Sequence, residues 1–349
     1  MTDIISMLID DSYLDELRDA RPQARENAQE AFEALLEGEL LPAGLRYRLA
    51  LIAAESAGVR PAVEFYRDLA ADEPEPRAPA ALHWARQLAW RPSSANALDV
   101  ADLAAEGWSP DQVVAMGQLV GFVAFQARVV HGIRALSAPL TLADATPPGF
   151  VPPTYPGLAR PAHFVSHSLG WRPWVPPAER LNQEQREALI KPEREKSEYF
   201  RLLARDPRAL RARTLTDLDI FYNTEGGLGR AERELAATVA SRINGCVYCA
   251  SVHADRAIRE SGRTEDVERL LSEGSSADLG SPQWNAVRDA ARALTHTPVT
   301  FGARHVAGLR DAGFGGIATV DVINATAFFQ WANRLMLGLG EPELPRRFR

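Results

Sequence analysis

The sequence predicts an all-α protein, with two helical halves joined by a proline-rich connector. Three observations carry this reading. Alanine, leucine, arginine and glutamate dominate both flanks, and alternation of β-branched residues is scarce, which favours helix over strand. Ten of the 24 prolines fall between Pro139 and Pro177. Proline locks φ and removes a donor, so neither a long helix nor a central strand runs through that stretch. At 349 residues the chain is long enough for two cores. The expected parts are a first half over 1–137, a connector over 138–177 and a second half over 178–349.

In chain order, the first half reads as helices over 12–37, 42–57, 61–71, 78–89, 95–106 and 110–135. The second half reads as helices over 177–205 (with a break allowed at Pro192), 230–243, 246–261, 265–273, 282–295, 303–312 and 316–337. Ser109-Pro110 and Ser281-Pro282 supply an N-cap side chain followed by proline at the first helical position. Glu225-Gly226-Gly227-Leu228-Gly229 reads as a turn before a helix; no strand precedes it, as a phosphate-binding loop would require. The connector carries Tyr155, Phe164, Trp171 and Trp174. Aromatic content predicts that it packs across a surface, either over 164–174 as a lid or against a neighbouring subunit. Met116, Phe122, Phe125, Phe328, Phe329 and Trp331 read as core or subunit contact.

The halves resemble each other. Residues 45–54 lie over 231–240, and continuing that register sets Glu234 against Arg48, Cys246 against Arg60, Cys249 against Val63 and His253 against Arg67. Further on, Glu106-Gly107-Trp108 lies over Ala312-Gly313-Phe314, and Phe122 and Arg128 fall on Phe328 and Arg334. The first half keeps the apolar pattern and lacks every polar group discussed below. A duplication with one silent copy accounts for this; shared alanine-rich composition is the alternative.

Net charge is −7, which argues against nucleic acid as a partner, because phosphate binding needs a basic surface. The most apolar stretch, 113–130, is interrupted by Gln118, Gln126 and Arg128, so no membrane span is expected. The N-terminus shows no basic region followed by an apolar core. With two cysteines and no export signal, a reducing cytoplasm is the expected location.

Those two cysteines, Cys246 and Cys249, sit three residues apart, and His253 follows four residues later. Positions i, i+3 and i+4 share a helix face, so the sulfurs are close enough for a disulfide with some adjustment at the helix end. Asn244-Gly245 can end the preceding helix, which leaves the cysteines in the first turn of the next, where free N–H groups favour negative charge. That reasoning makes Cys246 the more acidic thiol. His253 can accept a thiol proton. Glu234, twelve residues before Cys246, can orient the histidine if the two helices pack antiparallel. Tyr248 can hold a water or position an oxidant. Cys246, Cys249 and His253 also suit a zinc site completed by His296, by His305 or by a ligand from another subunit, although zinc sites usually show two recognisable ligand pairs.

The spacing Glu-x11-Cys-x-Tyr-Cys-x3-His, carried by Glu234, Cys246, Tyr248, Cys249 and His253, resembles the active site of AhpD-type alkylhydroperoxidases of the carboxymuconolactone decarboxylase superfamily. The wider stretch from Asp219-Ile220-Phe221-Tyr222-Asn223 to Arg256 resembles the peroxidase-related branch. The resemblance covers about 198–334, with the first half similar to a degenerate copy. It implies two AhpD-like helical domains and a peroxidase that reduces organic hydroperoxides or hydrogen peroxide through a Cys246–Cys249 dithiol/disulfide cycle. In that cycle Cys249 attacks the peroxide, Cys246 resolves the sulfenic acid, and His253 and Glu234 relay the proton with support from Tyr248. It further implies no metal, haem or flavin cofactor, a lipoyl or thioredoxin-like dithiol reductant, and a homo-oligomer, dimer or trimer. Two other functions use the same chain differently. One is a general thiol–disulfide oxidoreductase or redox sensor. The other is a decarboxylase-like member of the superfamily, which would need a base and an anion pocket in place of a redox dithiol.

Overall fold

The computed structural model describes residues 3–70, 75–137 and 163–343. Most of the connector, 138–162 with Tyr155, lies outside the described residues, as does the C-terminal basic run 346–349. The first half contains α1 (Ile4–Ile9), α2 (Ser12–Glu16), α3 (Pro22–Phe32), α4 (Ala43–Ala57), α5 (Arg60–Leu69), α6 (Ala78–Trp90), α7 (Ala97–Ala105) and α8 (Pro110–Arg134). After the connector come β1 (Gly170–Pro173), α9 (Gln183–Ala188), α10 (Glu198–Leu203), α11 (Pro207–Tyr222), α12 (Arg230–Asn244) and α13 (Val247–Ser261). The chain continues with α14 (Thr264–Glu273), α15 (Pro282–Thr295), α16 (Ala303–Asp311), α17 (Gly316–Leu339) and β2 (Gly340–Glu343). Among the described residues the protein is all-α apart from the β1–β2 pair, an antiparallel ladder from Gly170↔Glu343 to Pro173↔Gly340.

Three departures from the sequence reading have local causes. The helix expected over 12–37 is broken by a 3-10 turn at Leu17–Ala20, and α3 restarts with Pro22 at its first turn. Pro192 breaks the 177–205 span into α9, a 3-10 turn at Pro192–Lys196 and α10. No helix was expected over 206–229, yet α11 fills most of it. Asp206 caps α11 by accepting from the Ala209 N–H (3.2 Å), and Pro207 opens its first turn.

The halves repeat helix for helix: α4, α5, α6, α7 and α8 match α12, α13, α15, α16 and α17 in order and in neighbours. Gly107 (φ 84°) and Gly313 (φ 90°) close the same turn, with Trp108 N–H bonded to Leu103 O (3.1 Å) and Phe314 N–H to Leu309 O (3.0 Å). The two long helices, α8 and α17, pack antiparallel at the centre. Phe122 meets Trp331 edge-on at 5.3 Å, and the equivalent pair Phe125–Phe328 meets at 6.4 Å. A methyl on Gly121 would come 2.6 Å from Trp331 Cδ1, and one on Gly132 would come 2.6 Å from Ile323 Cγ2, so glycine permits this close approach. Arg128 on α8 donates to Leu294 O (3.0 Å) and His296 O (3.2 Å) at the end of α15. Its counterpart Arg334 on α17 donates to Ala89 O (2.8 Å) at the end of α6.

One register needs correction. The left-handed glycines that end α4 and α12, Gly58 (φ 69°) and Gly245 (φ 77°), are equivalent. This shifts the local alignment by one residue. Cys246 then lies over Val59, Cys249 over Ala62, His253 over Tyr66 and Glu234 over Tyr47. Burial supports the shift: Val59, Ala62 and Tyr66 are buried like their partners, whereas Arg60 and Arg67 are exposed.

Apolar side chains from both halves form one continuous core. It includes Met116, Phe122, Phe125, Phe328, Phe329 and Trp331, so these are core residues of the chain itself. Helix α8 is long and apolar enough to cross a membrane, but its apolar stretch is entirely buried in the fold. Two of its glutamines accept hydrogen bonds there: Gln118 from Trp331 Nε1 (2.8 Å) and Gln126 from the Tyr66 hydroxyl (2.5 Å). The Gly226–Gly227 turn wraps Asp321, which accepts from Leu228 N–H (2.8 Å) and pairs with Arg21 of the first half (2.8 Å). A side chain on Gly227 (φ 74°) would collide with that carboxylate. The described end of the connector lies across α17: Trp171 Nε1 donates to Met336 O (3.1 Å), and Trp174 N–H donates to Leu339 O (2.8 Å).

Candidate active site

The α12–α13 corner sets the site. Gly245 ends α12 in the left-handed conformation, and Cys246 becomes the N-cap residue of α13. Cys249 lies in the first turn of α13 and His253 one turn on, facing back toward α12. Both cysteines are free and buried. The two cysteines are near each other, and the Asn333 side chain also acts on the Cys249 thiol. Asn333, from α17, is itself fixed: it donates to Ser241 Oγ (3.0 Å) and accepts from Asn244 Nδ2 (2.9 Å).

Glu234 is fully buried and its Oε2 meets His253 Nδ1 directly. The bonded Nδ1 leaves Nε2 as the nitrogen available for proton transfer. Phe329 packs edge-on against the imidazole at 4.3 Å and Phe221 at 5.9 Å, fixing its plane. The other carboxylate oxygen accepts from Arg230 Nε (2.7 Å), one turn earlier on α12, with Arg256 Nη1 at 3.9 Å. Burial alone would raise the Glu234 carboxyl; His253, Arg230 and Arg256 together hold it below its ordinary value. Burial pushes the Cys249 thiol well up, and the Cys246 sulfur adds to this, while Asn333 and Arg213 pull the other way. Burial thus favours the neutral form of the Cys249 thiol. Burial also raises the Tyr248 hydroxyl, helped by both cysteines.

Of the five residues singled out in the sequence, Glu234 and His253 are in direct contact, and Cys246, Tyr248 and Cys249 lie together at the start of α13. Sequence reasoning missed Arg230 and Arg256, although their spacing of four before Glu234 and three after His253 is a readable helical signal. It also missed Asn333, Arg213, Tyr199 and Asp217, which reach the site from α17, α10 and α11 and leave no spacing signal. The histidines considered as zinc partners are engaged elsewhere: His296 Nδ1 with Thr300 Oγ1 (3.1 Å) and His305 Nδ1 with the Gly302 N–H (3.0 Å).

Residues 207–293, from α11 through most of α15, match the family model described as carboxymuconolactone decarboxylase family. All five site residues lie inside that segment, consistent with membership of the AhpD-like superfamily. No curated protein and no solved structure matches the chain.

Proposed function

We propose that the protein is a thiol-dependent peroxidase that cycles between a Cys246–Cys249 dithiol and its disulfide. The observation that supports this reading best is the buried Glu234–His253 pair, one helical turn from a thiol whose neutral form burial favours. His253 takes the Cys249 proton at Nε2, and the Glu234 carboxylate stabilises the imidazolium. The thiolate attacks the peroxide O–O bond, forming a sulfur–oxygen bond. The leaving oxygen takes the proton back and departs as alcohol or water. Cys246 then attacks the sulfenic sulfur; its own proton leaves with the hydroxyl as water, and a disulfide results. Two electrons from a dithiol, on a lipoyl or thioredoxin-like protein, restore the thiols. We further propose that the first half is a degenerate copy retained for its share of the core, since apolar or aromatic residues stand at each equivalent position.

Peroxide consumption in the presence of a small dithiol such as dihydrolipoamide tests this. Turnover that vanishes in both Cys249→Ser and Cys246→Ser is the expected result. Rapid exchange with disulfides but no peroxide turnover would replace the reading with that of a thiol–disulfide oxidoreductase.

A further inference from the structure

Buried polar atoms without partners are rare in folded proteins, and each calls for a reason. Three of them lie on α10 and α11, two in residues that meet each other, Arg213 and Tyr199. Arg213, on α11, is only 6% exposed. It makes no hydrogen bond or ion pair with any described residue, and its Nε is sealed from solvent without an acceptor. Tyr199 Oη on α10 and Thr214 Oγ1 are sealed in the same way. The guanidinium carbon lies 5.8 Å from the Tyr199 ring centroid and 5.0 Å from that of Phe328. Phe328 in turn packs on Phe329 (6.0 Å) and Phe221 (6.2 Å), the two rings that enclose His253. Cys249 senses the Arg213 charge, and the Tyr199 hydroxyl senses both cysteines. Asp217, one turn further along α11, also senses Arg213 but forms no ion pair with it, and burial pushes its own carboxyl up. A guanidinium this nearly buried, with no hydrogen bond or ion pair from the described residues, keeps donors in hand for a ligand. The Tyr199 phenol, whose ring lies under the guanidinium, carries a second donor without a partner.

We propose that Arg213 and Tyr199 form an anion subsite beside Cys249 that takes the carboxylate of a small organic ligand. Guanidinium N–H and phenol O–H groups suit the two oxygens of one carboxylate. On the peroxidase reading, on which this extension rests, the preferred substrate is a hydroperoxide that carries a carboxylate.

Two alkylating agents test the subsite without needing turnover: iodoacetate, which carries a carboxylate, and neutral iodoacetamide. Each forms one bond to the Cys249 sulfur and expels iodide, and fragment-ion mass spectrometry assigns the label. The iodoacetate-to-iodoacetamide rate ratio at Cys249 of the full chain should exceed that of free cysteine by about tenfold, and excess acetate should abolish the difference. Arg213→Met should return the ratio to that of free cysteine, Arg213→Lys should keep part of it, and Tyr199→Phe should lower it. A wild-type ratio no higher than that of free cysteine overturns the subsite, as does an unchanged ratio in folded Arg213→Met. If Arg213→Met does not fold, the wild-type ratio and its loss with acetate decide the question. A high, Arg213-dependent ratio in a protein that no peroxide oxidises keeps the subsite and removes the peroxidase reading. Peroxide oxidation without any elevated ratio removes the subsite alone.

Discussion

Glu234 carries the site at the scale of single residues, because one carboxylate serves both the His253 imidazole and the Arg230 guanidinium. Glu234→Gln keeps the shape and removes the charge. Oxidation of the thiols by peroxide should then slow about 10²-fold or more, the usual weight of general acid–base catalysis, in stopped-flow measurements. The same carboxyl has a pH signature. Its folded value lies below the ordinary 4.5, so its stabilising contribution is complete above 4.5 and is lost as pH falls through the folded value. Urea unfolding between pH 7 and pH 3 should show that acid-side loss in the wild type and a smaller one in Glu234→Gln. The five spaced residues were legible because they occupy two adjacent helices, where sequence distance becomes spatial distance. Tyr199, Arg213 and Asn333 were not, because tertiary packing alone brings them there.

Among elements, the α8–α17 pair and the α11 cap give the sharpest expectations. Gly121→Ala places a methyl against Trp331 and should cost about 1–3 kcal/mol by overpacking, read as a lower denaturation midpoint. Arg128→Met strips donors from Leu294 O and His296 O at the end of α15. Each buried carbonyl left unpaired costs about 1–3 kcal/mol, so equilibrium unfolding should show a loss of at least that size. Asp206 is pushed up from 3.8 to about 6 by burial. Ionising it in the folded state is therefore disfavoured, and stability is lost as pH rises from 3.8 to about 6. At 1.36 kcal/mol per unit, that difference reaches roughly 3 kcal/mol. Asp206→Asn keeps a cap acceptor without the charge, so it should be more stable than the wild type at pH 7.5 and lose that advantage near pH 4, measured by thermal melts at both values. Helix starts such as Ser109-Pro110 could be read directly, since a capping side chain acts within three residues. Helix α11 could not, because its apolar face is interrupted by Arg213, Thr214 and Thr216, which are buried only because other helices pack over them.

Across the whole molecule, two similar halves close around one core through α8, α17 and the α3–α11 contact, where the Ala24 N–H donates to Asp219 (2.8 Å). The repeat was visible in the sequence as matched glycines, aromatics and arginines. The shared core was not, since periodicity shows which faces are apolar and not which half covers them. A fragment starting at residue 163 would expose the α17 and α11 faces that the first half now buries. It should fail to unfold cooperatively in urea, whereas a sharp transition would show that the second half stands alone. The central claim, a base-assisted dithiol that reduces peroxides, is tested most directly by mass spectrometry of the reduced protein after one equivalent of peroxide. The wild type should lose two hydrogens through a Cys246–Cys249 disulfide, and Cys246→Ser should gain one oxygen at Cys249. A wild-type mass unchanged by peroxide, with both thiols still open to alkylation, would contradict the account.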